Sequence, residues 1–379
     1  MKKKHTKHTN LIKPNGGDFH RNEWAIIGAP CDIIKTLAAG INKALSNLKV
    51  GFLDADHKKA RAKSAYYTHY TDKISYQALA IKSESQLKQN RKFYNDLDLL
   101  LINGNHFIGA KQIVIINEVK KESLSRKLDR LTDIKMILLE KSSDDIHTYL
   151  LELIKDKKDI QMFRVDQVGK ISNAILKALI EDEPALFGLV LSGGKSQRMG
   201  EDKGALDYHG KPQREYEADL INNFCNRTFI SCRKNQDELI ETNYEKLYDT
   251  FTGLGPYGGI LSAFREYPNA AWLTIACDMP YISVETIKQL VKSRNSQKLA
   301  TCFHNKETQF PEPLLTIWEP RAYPVLLEFL SQGYSCPRKV LINTDIEEIN
   351  IEDQLSIANA NDLSEMQKAK AFLSKKKET

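Results

Sequence analysis

The stretch LVLSGGKSQRMGEDKGA, residues 189–205, decides how this chain is read. Leu189, Val190 and Leu191 form a short apolar run of the kind that makes a buried strand, and it empties through Ser192 into Gly193 and Gly194. Glycines at the mouth of a strand let the backbone approach a phosphate and turn its N–H groups towards it. Arg198 and Lys203 follow, adding cations of the kind that neutralise a triphosphate. The spacing is not GxxxxGK[ST] feeding a helix, and the GxGxxG order of a dinucleotide fold is absent from it. A strand-to-helix turn with a solvated basic face is the competing, uneventful reading.

Further strands are expected over 187–191, 228–232, 272–277, 299–303 and 314–318, with helical patterns between them that include 284–293 and 321–330. Strands alternating with helices predict an α/β fold with a doubly wound, largely parallel sheet. Ligands bind such sheets at the carboxyl ends of the strands. The glycine loop lies at one such end, and Asp278, directly after WLTIAC, lies at another. Mg²⁺ takes one or two carboxylates together with phosphates and water, and Asp278 is the best candidate for that carboxylate. A turn aspartate ahead of Pro280 is its duller alternative.

The thirteen positions from Leu191 to Lys203 follow the pattern LxGGxSxRMGxDK, and they resemble the nucleotide loop of the molybdenum cofactor guanylyltransferases. CDMPYI around Asp278, YDTFTGLGPYGG around Asp249 and the closing IANANDLSEMQ are similar to segments of the same family. The resemblance implies a Rossmann-like nucleotidyltransferase sheet in which molybdopterin attacks GTP, releases pyrophosphate and forms the guanine dinucleotide. It implies catalytic roles for Arg198, Lys203 and Asp278, with Asp278 holding Mg²⁺. It implies nucleotide contacts from Leu191, Ser192, Gly193, Gly194, Lys203, Asp249 and Asp278, and proximity of Arg233. Asn359 and Asn361 would face phosphates and metal, with simple helix capping as an even competitor; Asp362 and Glu365 have capping-box spacing. Arg338 and Lys339 fall in the region that resembles the family's pterin side. A molybdoenzyme or its chaperone would receive the product. Three rivals stand beside this reading: a CTP-dependent cytidylyltransferase, a sugar-1-phosphate nucleotidyltransferase and a non-catalytic cofactor chaperone. LSGG in place of LAAG favours guanine over cytosine.

The first half begins with WAIIGAPCDIIKTLAAGINKAL, the order of a P-loop: strand, loop, Lys-Thr, helix. After Gly28 the expected loop APCDII has no second glycine, contains Pro30 and Asp32, and is a residue too long. Proline removes a phosphate-binding N–H and aspartate repels phosphate. With GFLDADH and NGNHFIGAKQI, this half resembles the protein B partner of molybdopterin-guanine dinucleotide biosynthesis, in a degenerate form suited to docking or substrate handover.

At 379 residues the chain is long for one core, and two domains are expected. Residues 1–22 read as a disordered basic tail, 23–183 as the degenerate P-loop domain and 185–373 as the nucleotidyltransferase domain, with the break at Glu181–Pro184. No apolar run approaches the ~20 residues of a membrane span, and no secretory h-region follows the basic start. Six cysteines without CxxC or zinc spacing read as reduced residues of a cytoplasmic protein. A net charge of +6 suits anionic ligands, and no basic-aromatic clustering points to nucleic acid.

Overall fold

A computed structural model describes residues 17, 19–55, 68–73, 76–81, 92–140, 145–155, 159–192 and 202–377. The chain divides into two compact units, Met1–Asp182 and Glu183–Thr379.

The first unit carries strands β1 (Glu23–Ile27), β2 (Val50–Leu53), β3 (Thr68–Lys73), β4 (Tyr76–Ile81), β5 (Leu99–Asn103), β6 (Lys111–Ile116), β7 (Ile134–Leu139) and β8 (Gln161–Arg164). Its helices are α1 (Cys31–Ala44), α2 (Lys121–Ser125), α3 (Thr148–Ile154) and α4 (Val168–Glu181). Six strands pair in the order β2-β5-β1-β6-β7-β8, every neighbour parallel, while β3 and β4 form a separate antiparallel pair. EWAII of β1 and LLLIN of β5 are buried throughout, as strands covered on both faces must be. Trp24, Ile26 and Leu101 pack on one face against Ile34, Leu37 and Ile41 of α1 and Ile171 and Ile175 of α4. Val114, Ile116 and Ile137 pack on the other against Leu124 and Leu150.

Two expectations for this half need correction. Phe19 and His20, assigned to the tail, are buried, because the Phe19 ring meets Tyr94 and Phe107 edge-on. The segment expected as the loop APCDII is mostly helix: only Gly28, Ala29 and Pro30 separate β1 from α1, and the Ile34 N–H already donates to the Pro30 carbonyl at 3.2 Å. Lys35 therefore sits on the helix and pairs with Asp54 at 2.8 Å.

The second unit carries β9 (Leu186–Leu191), β10 (Arg227–Cys232), β11 (Glu245–Tyr248), β12 (Ala271–Ala276), β13 (Ala300–Asn305), β14 (Phe310–Trp318) and β15 (Glu347–Asn350). Its helices are α5 (Gln213–Asn222), α6 (Pro256–Glu266), α7 (Val284–Lys292), α8 (Ala322–Ser331), α9 (Pro337–Ile342) and α10 (Leu363–Lys377). The sheet order is β11-β10-β9-β12-β14-β13-β15, with β14 alone reversed. The α/β class with parallel sheets expected from the sequence is what the fold shows. Pro311 and Pro313 sit where β14 has run past β12, whose pairing reaches only Thr316, so neither proline breaks a two-sided ladder. Val190, Leu273 and Ile275 pack under α5 and α7 on one face. Leu189, Phe229 and Trp272 pack under α6 and α8 on the other.

From β9 the chain steps outward to β10 and β11, then returns to β12 on the opposite side of β9. The carboxyl ends of β9 and β12 thus form the topological switch point, where doubly wound sheets bind their ligands. Leu191 and Ala276, the last residues of the two strands, stand in register there.

Candidate active site

A cleft of about 410 Å³ opens at this switch point. Its floor is Leu191 and Ser192 from the end of β9, Ser231 from β10, and Ala276, Cys277 and Asp278 from β12. Lys203 and Gly204 close one side, and Asp249 and the start of α6 close the other.

Asp278 is the centre of the charged arrangement. Its side chain is only 18% exposed, and burial holds its carboxyl above the usual carboxylate range, with the Lys203 ammonium acting in the opposite direction. Lys203 Nζ lies 3.5 Å from Asp278 Oδ2 and donates to Asn361 Oδ1 at 3.2 Å. Asp278 Oδ1 is buried and has no hydrogen-bond partner among the described residues. An orphaned carboxylate oxygen is costly to bury. Such an oxygen is suited to hold a cation.

The asparagine segment is fastened to the same residue. The Ala360 N–H donates to the Asp278 carbonyl at 2.8 Å, which brings Asn361 up to Lys203. Asn359 is exposed on the other side of this tether and makes no comparable contact. Capping also occurs here, in a shifted form. Asp362 Oδ1 accepts from the Glu365 N–H at 2.9 Å, while Glu365 Oε2 accepts from the Asn361 N–H at 2.7 Å. Asn361 serves both ends, its backbone to the helix start and its amide oxygen to the lysine.

Across the cleft, Asp249 accepts from Ser231 Oγ at 2.7 Å, and burial pushes its carboxyl up while Arg233 draws it down. Helix α6 begins beside it directly after Gly255, whose φ of +58° is left-handed and suits glycine. Gly259, one turn in, lets the helix lie on the strand ends: a Cβ there would be 2.8 Å from both Leu191 Cδ2 and Ser231 Oγ. Arg233 lines the cleft with its Nε buried and unpartnered among the described residues. Gly193, Gly194 and Arg198 lie outside the described residues.

The sequence did not single out the layer below this rim. Gln213, Arg214 and Glu217 on α5 point inward and are almost wholly buried. Arg214 pairs with Asp202, whose other oxygen accepts the Gly204 N–H at 3.0 Å and so shapes the turn that presents Lys203. Glu217 accepts from Gln213 Nε2 at 2.9 Å. Burial raises its carboxyl well above the usual range, and the neighbouring Asp278 charge adds to this. Gln213 also reaches the Met279 carbonyl at 3.3 Å, which braces the loop after Asp278. On the far side, Glu312 is buried against Asn305 and feels both the Arg338 charge and that of Asp278.

Among the described residues there is no group of three or more His, Cys, Asp or Glu side chains arranged to hold a metal without help, and no helix long and apolar enough to cross a membrane.

The description "MobA-like NTP transferase domain" matches residues 188–347. A molybdenum cofactor biosynthesis bifunctional protein of Synechocystis sp. is 37% identical over 186 residues, which cover 49% of this chain and 53% of that protein. The chain therefore spans about half the length of that relative. A molybdenum cofactor guanylyltransferase of Yersinia pseudotuberculosis is 31% identical over 132 residues, 34% of this chain and 67% of that enzyme. Among solved structures, molybdopterin-guanine dinucleotide biosynthesis protein A from Archaeoglobus fulgidus has 23% identity and a TM-score of 0.44, covering 50% of this chain and 99% of its own. Through its C-terminal half, the chain belongs to the MobA-like NTP transferases.

Proposed function

We propose that the second unit is a molybdenum cofactor guanylyltransferase. It joins GMP from GTP to the terminal phosphate of molybdopterin and releases pyrophosphate. The observation that carries this reading is the convergence of Lys203, Asn361 and the orphaned Asp278 carboxylate at the β9/β12 switch point of a chain in this family.

The chemistry needs no protein nucleophile, because the molybdopterin phosphate is one. What remains is to orient two anions and neutralise the charge that builds on the leaving pyrophosphate. Lys203, positioned by the Asp202–Arg214 pair and by Asn361, is the described cation best placed for the triphosphate. Arg233 offers an unspent donor from the other wall. Gly193, Gly194 and Arg198 would complete the phosphate loop that the sequence pattern implies. Asp278 Oδ1 would hold Mg²⁺, which supplies charge neutralisation at the phosphates when bound. Asp249 and the α6 start close the opposite wall, which fits the base and ribose.

For the first unit we propose a handover or docking role without nucleotide hydrolysis. Lys35 is spent on Asp54, and Pro30 offers no N–H where a phosphate cradle would need one. The test of the main proposal is pyrophosphate release by the full chain with GTP, Mg²⁺ and molybdopterin. No release above background with GTP would end the guanylyltransferase reading.

A further inference from the structure

The first unit holds a second group of reactive side chains at its own switch point. Cys31 is the first residue of α1 and follows directly on the short loop after β1. The loop after β5 lies over it. Gly104 packs so closely on β1 that a Cβ would come within 2.8 Å of Ile27 Cβ, and the Gly104 N–H donates to the Ile26 carbonyl at 2.8 Å. Asn105 Nδ2 donates to the Ala29 carbonyl at 2.8 Å. This clamp sets His106 Nε2 3.4 Å from Cys31 Sγ. Two cations hold the same loop from the β6–β7 side: Lys127 Nζ donates to the Asn105 carbonyl at 3.0 Å, and Arg130 Nη1 to the Gly104 carbonyl at 3.2 Å.

Neither Lys127 nor Arg130 has a carboxylate partner among the described residues. Burial and the nearby Arg130 and Lys120 charges hold the Lys127 ammonium below its ordinary range, and the Cys31 sulfur acts the other way. Among the described residues, Asp32 lies on the same helix, and Lys35 is paired with Asp54. The contact gives the thiol a nitrogen base within reach, which is what thiol exchange needs. The remaining cysteines are poor competitors. Cys232, Cys277 and Cys302 are buried, and burial pushes the Cys225 thiol up to about 12 and the Cys232 thiol up to about 11. Cys336 alone is exposed.

We propose that Cys31 and His106 form a thiol–imidazole pair that exchanges with small anionic disulfides, drawn in by Lys127 and Arg130. His106 Nε2 takes the Sγ proton, and the thiolate attacks one sulfur of the disulfide. The S–S bond breaks, and the departing thiolate carries away its electron pair and takes the proton from the imidazolium. Protein thiol and disulfide become mixed disulfide and free thiol, with no other reactant.

The experiment exposes the full-length protein to glutathione disulfide and, separately, to the neutral disulfide of mercaptoethanol, and maps each modified cysteine by peptide mass. Cys31 should react well ahead of the exposed Cys336. His106→Asn should slow the Cys31 reaction at neutral pH by about 10²-fold, the lower range for a lost general base. The rate should recover in alkali, where the thiol ionises unaided. His106→Gln, a second variant of different reach, should behave alike, with a thermal melt confirming the fold of both. Lys127→Gln with Arg130→Gln should slow glutathione disulfide about tenfold and the neutral disulfide hardly at all. Cys336 reacting first, or His106 variants matching wild type at every pH, would overturn the pair. Equal slowing of both disulfides would overturn the anion preference.

Discussion

Asp278→Asn is the sharpest perturbation of the proposed site, because it removes a charge and preserves a shape. The wild-type carboxylate is mostly buried, has one oxygen with no partner among the described residues, and lies 3.5 Å from Lys203. At an effective dielectric near 20 that separation corresponds to a gross attraction of about 5 kcal/mol. The cost of taking the carboxylate out of water is of similar size, and burial outweighing Lys203 is what raises its carboxyl. The pair is therefore close to break-even for folding. Lys203 keeps its Asn361 acceptor in the variant, and the Asp278 carbonyl that anchors Ala360 is backbone. Stability should change by no more than about 1 kcal/mol. Turnover should fall by about 10²–10³-fold, the range for loss of one preorganised electrostatic contact. It should not recover at raised Mg²⁺. Pyrophosphate release at saturating GTP and molybdopterin, with a thermal melt on the same preparation, measures both. Turnover within about threefold of wild type would refute the assignment of the metal carboxylate to Asp278, whatever the melt shows.

Other outcomes follow from the same geometry. Gly259→Ala should cost about 1–3 kcal/mol by overpacking, since its Cβ would press on Leu191 and Ser231 at 2.8 Å, and a denaturant midpoint reads this directly. GTP should be preferred over CTP as donor, since a site built for guanine leaves polar groups unpaired with cytosine; competition kinetics giving equal release with CTP would reverse the choice. Lys35→Met should leave turnover within about twofold and stability within about 1 kcal/mol, because it breaks only an exposed ion pair. Glu217→Gln tests the buried acid. Its carboxyl is raised in the folded state, so the folded chain keeps a proton that the unfolded chain releases, and stability falls as pH rises from the unfolded value towards the folded one. Gln mimics the protonated form and keeps the Gln213 contact, so the variant should lose less stability than wild type between acid and neutral pH.

The rim of the second unit was legible because its signals are local. An apolar run ending in glycines, and an aspartate directly after an apolar run, both mark strand ends, and parallel topology brings such ends together. Asn361 reads as either a cap or a site residue; its amide oxygen accepts from Lys203, its backbone N–H goes to Glu365, and the side-chain cap is Asp362. The α5 layer was not legible. Gln213, Arg214 and Glu217 are polar residues whose burial no local pattern marks, and the partner of Arg214, Asp202, lies outside the helix. The turn carrying Asp202 depends on Gly204, whose Cβ would come 2.6 Å from Ser192 Oγ and 3.0 Å from Arg214 Nε. No pattern on α5 alone contains this information.

The first unit shows the opposite error, and its cause is physical. Against a phosphate-loop pattern, Pro30 and Asp32 count as faults, and APCDII reads as irregular chain. Both residues favour a helix start. Proline's fixed φ and missing N–H cost nothing ahead of the first turn, and an aspartate within that turn meets the positive end of the helix dipole. With Pro30 ahead of it and Asp32 in its first turn, α1 starts at Cys31. This start places Lys35 beside Asp54 and leaves a thiol at the helix start, 3.4 Å from an imidazole. One early helix start thus sets both the Lys35–Asp54 pair and the Cys31–His106 contact, so Pro30→Gly should weaken both the helix start and the Cys31 reaction without conferring GTP binding.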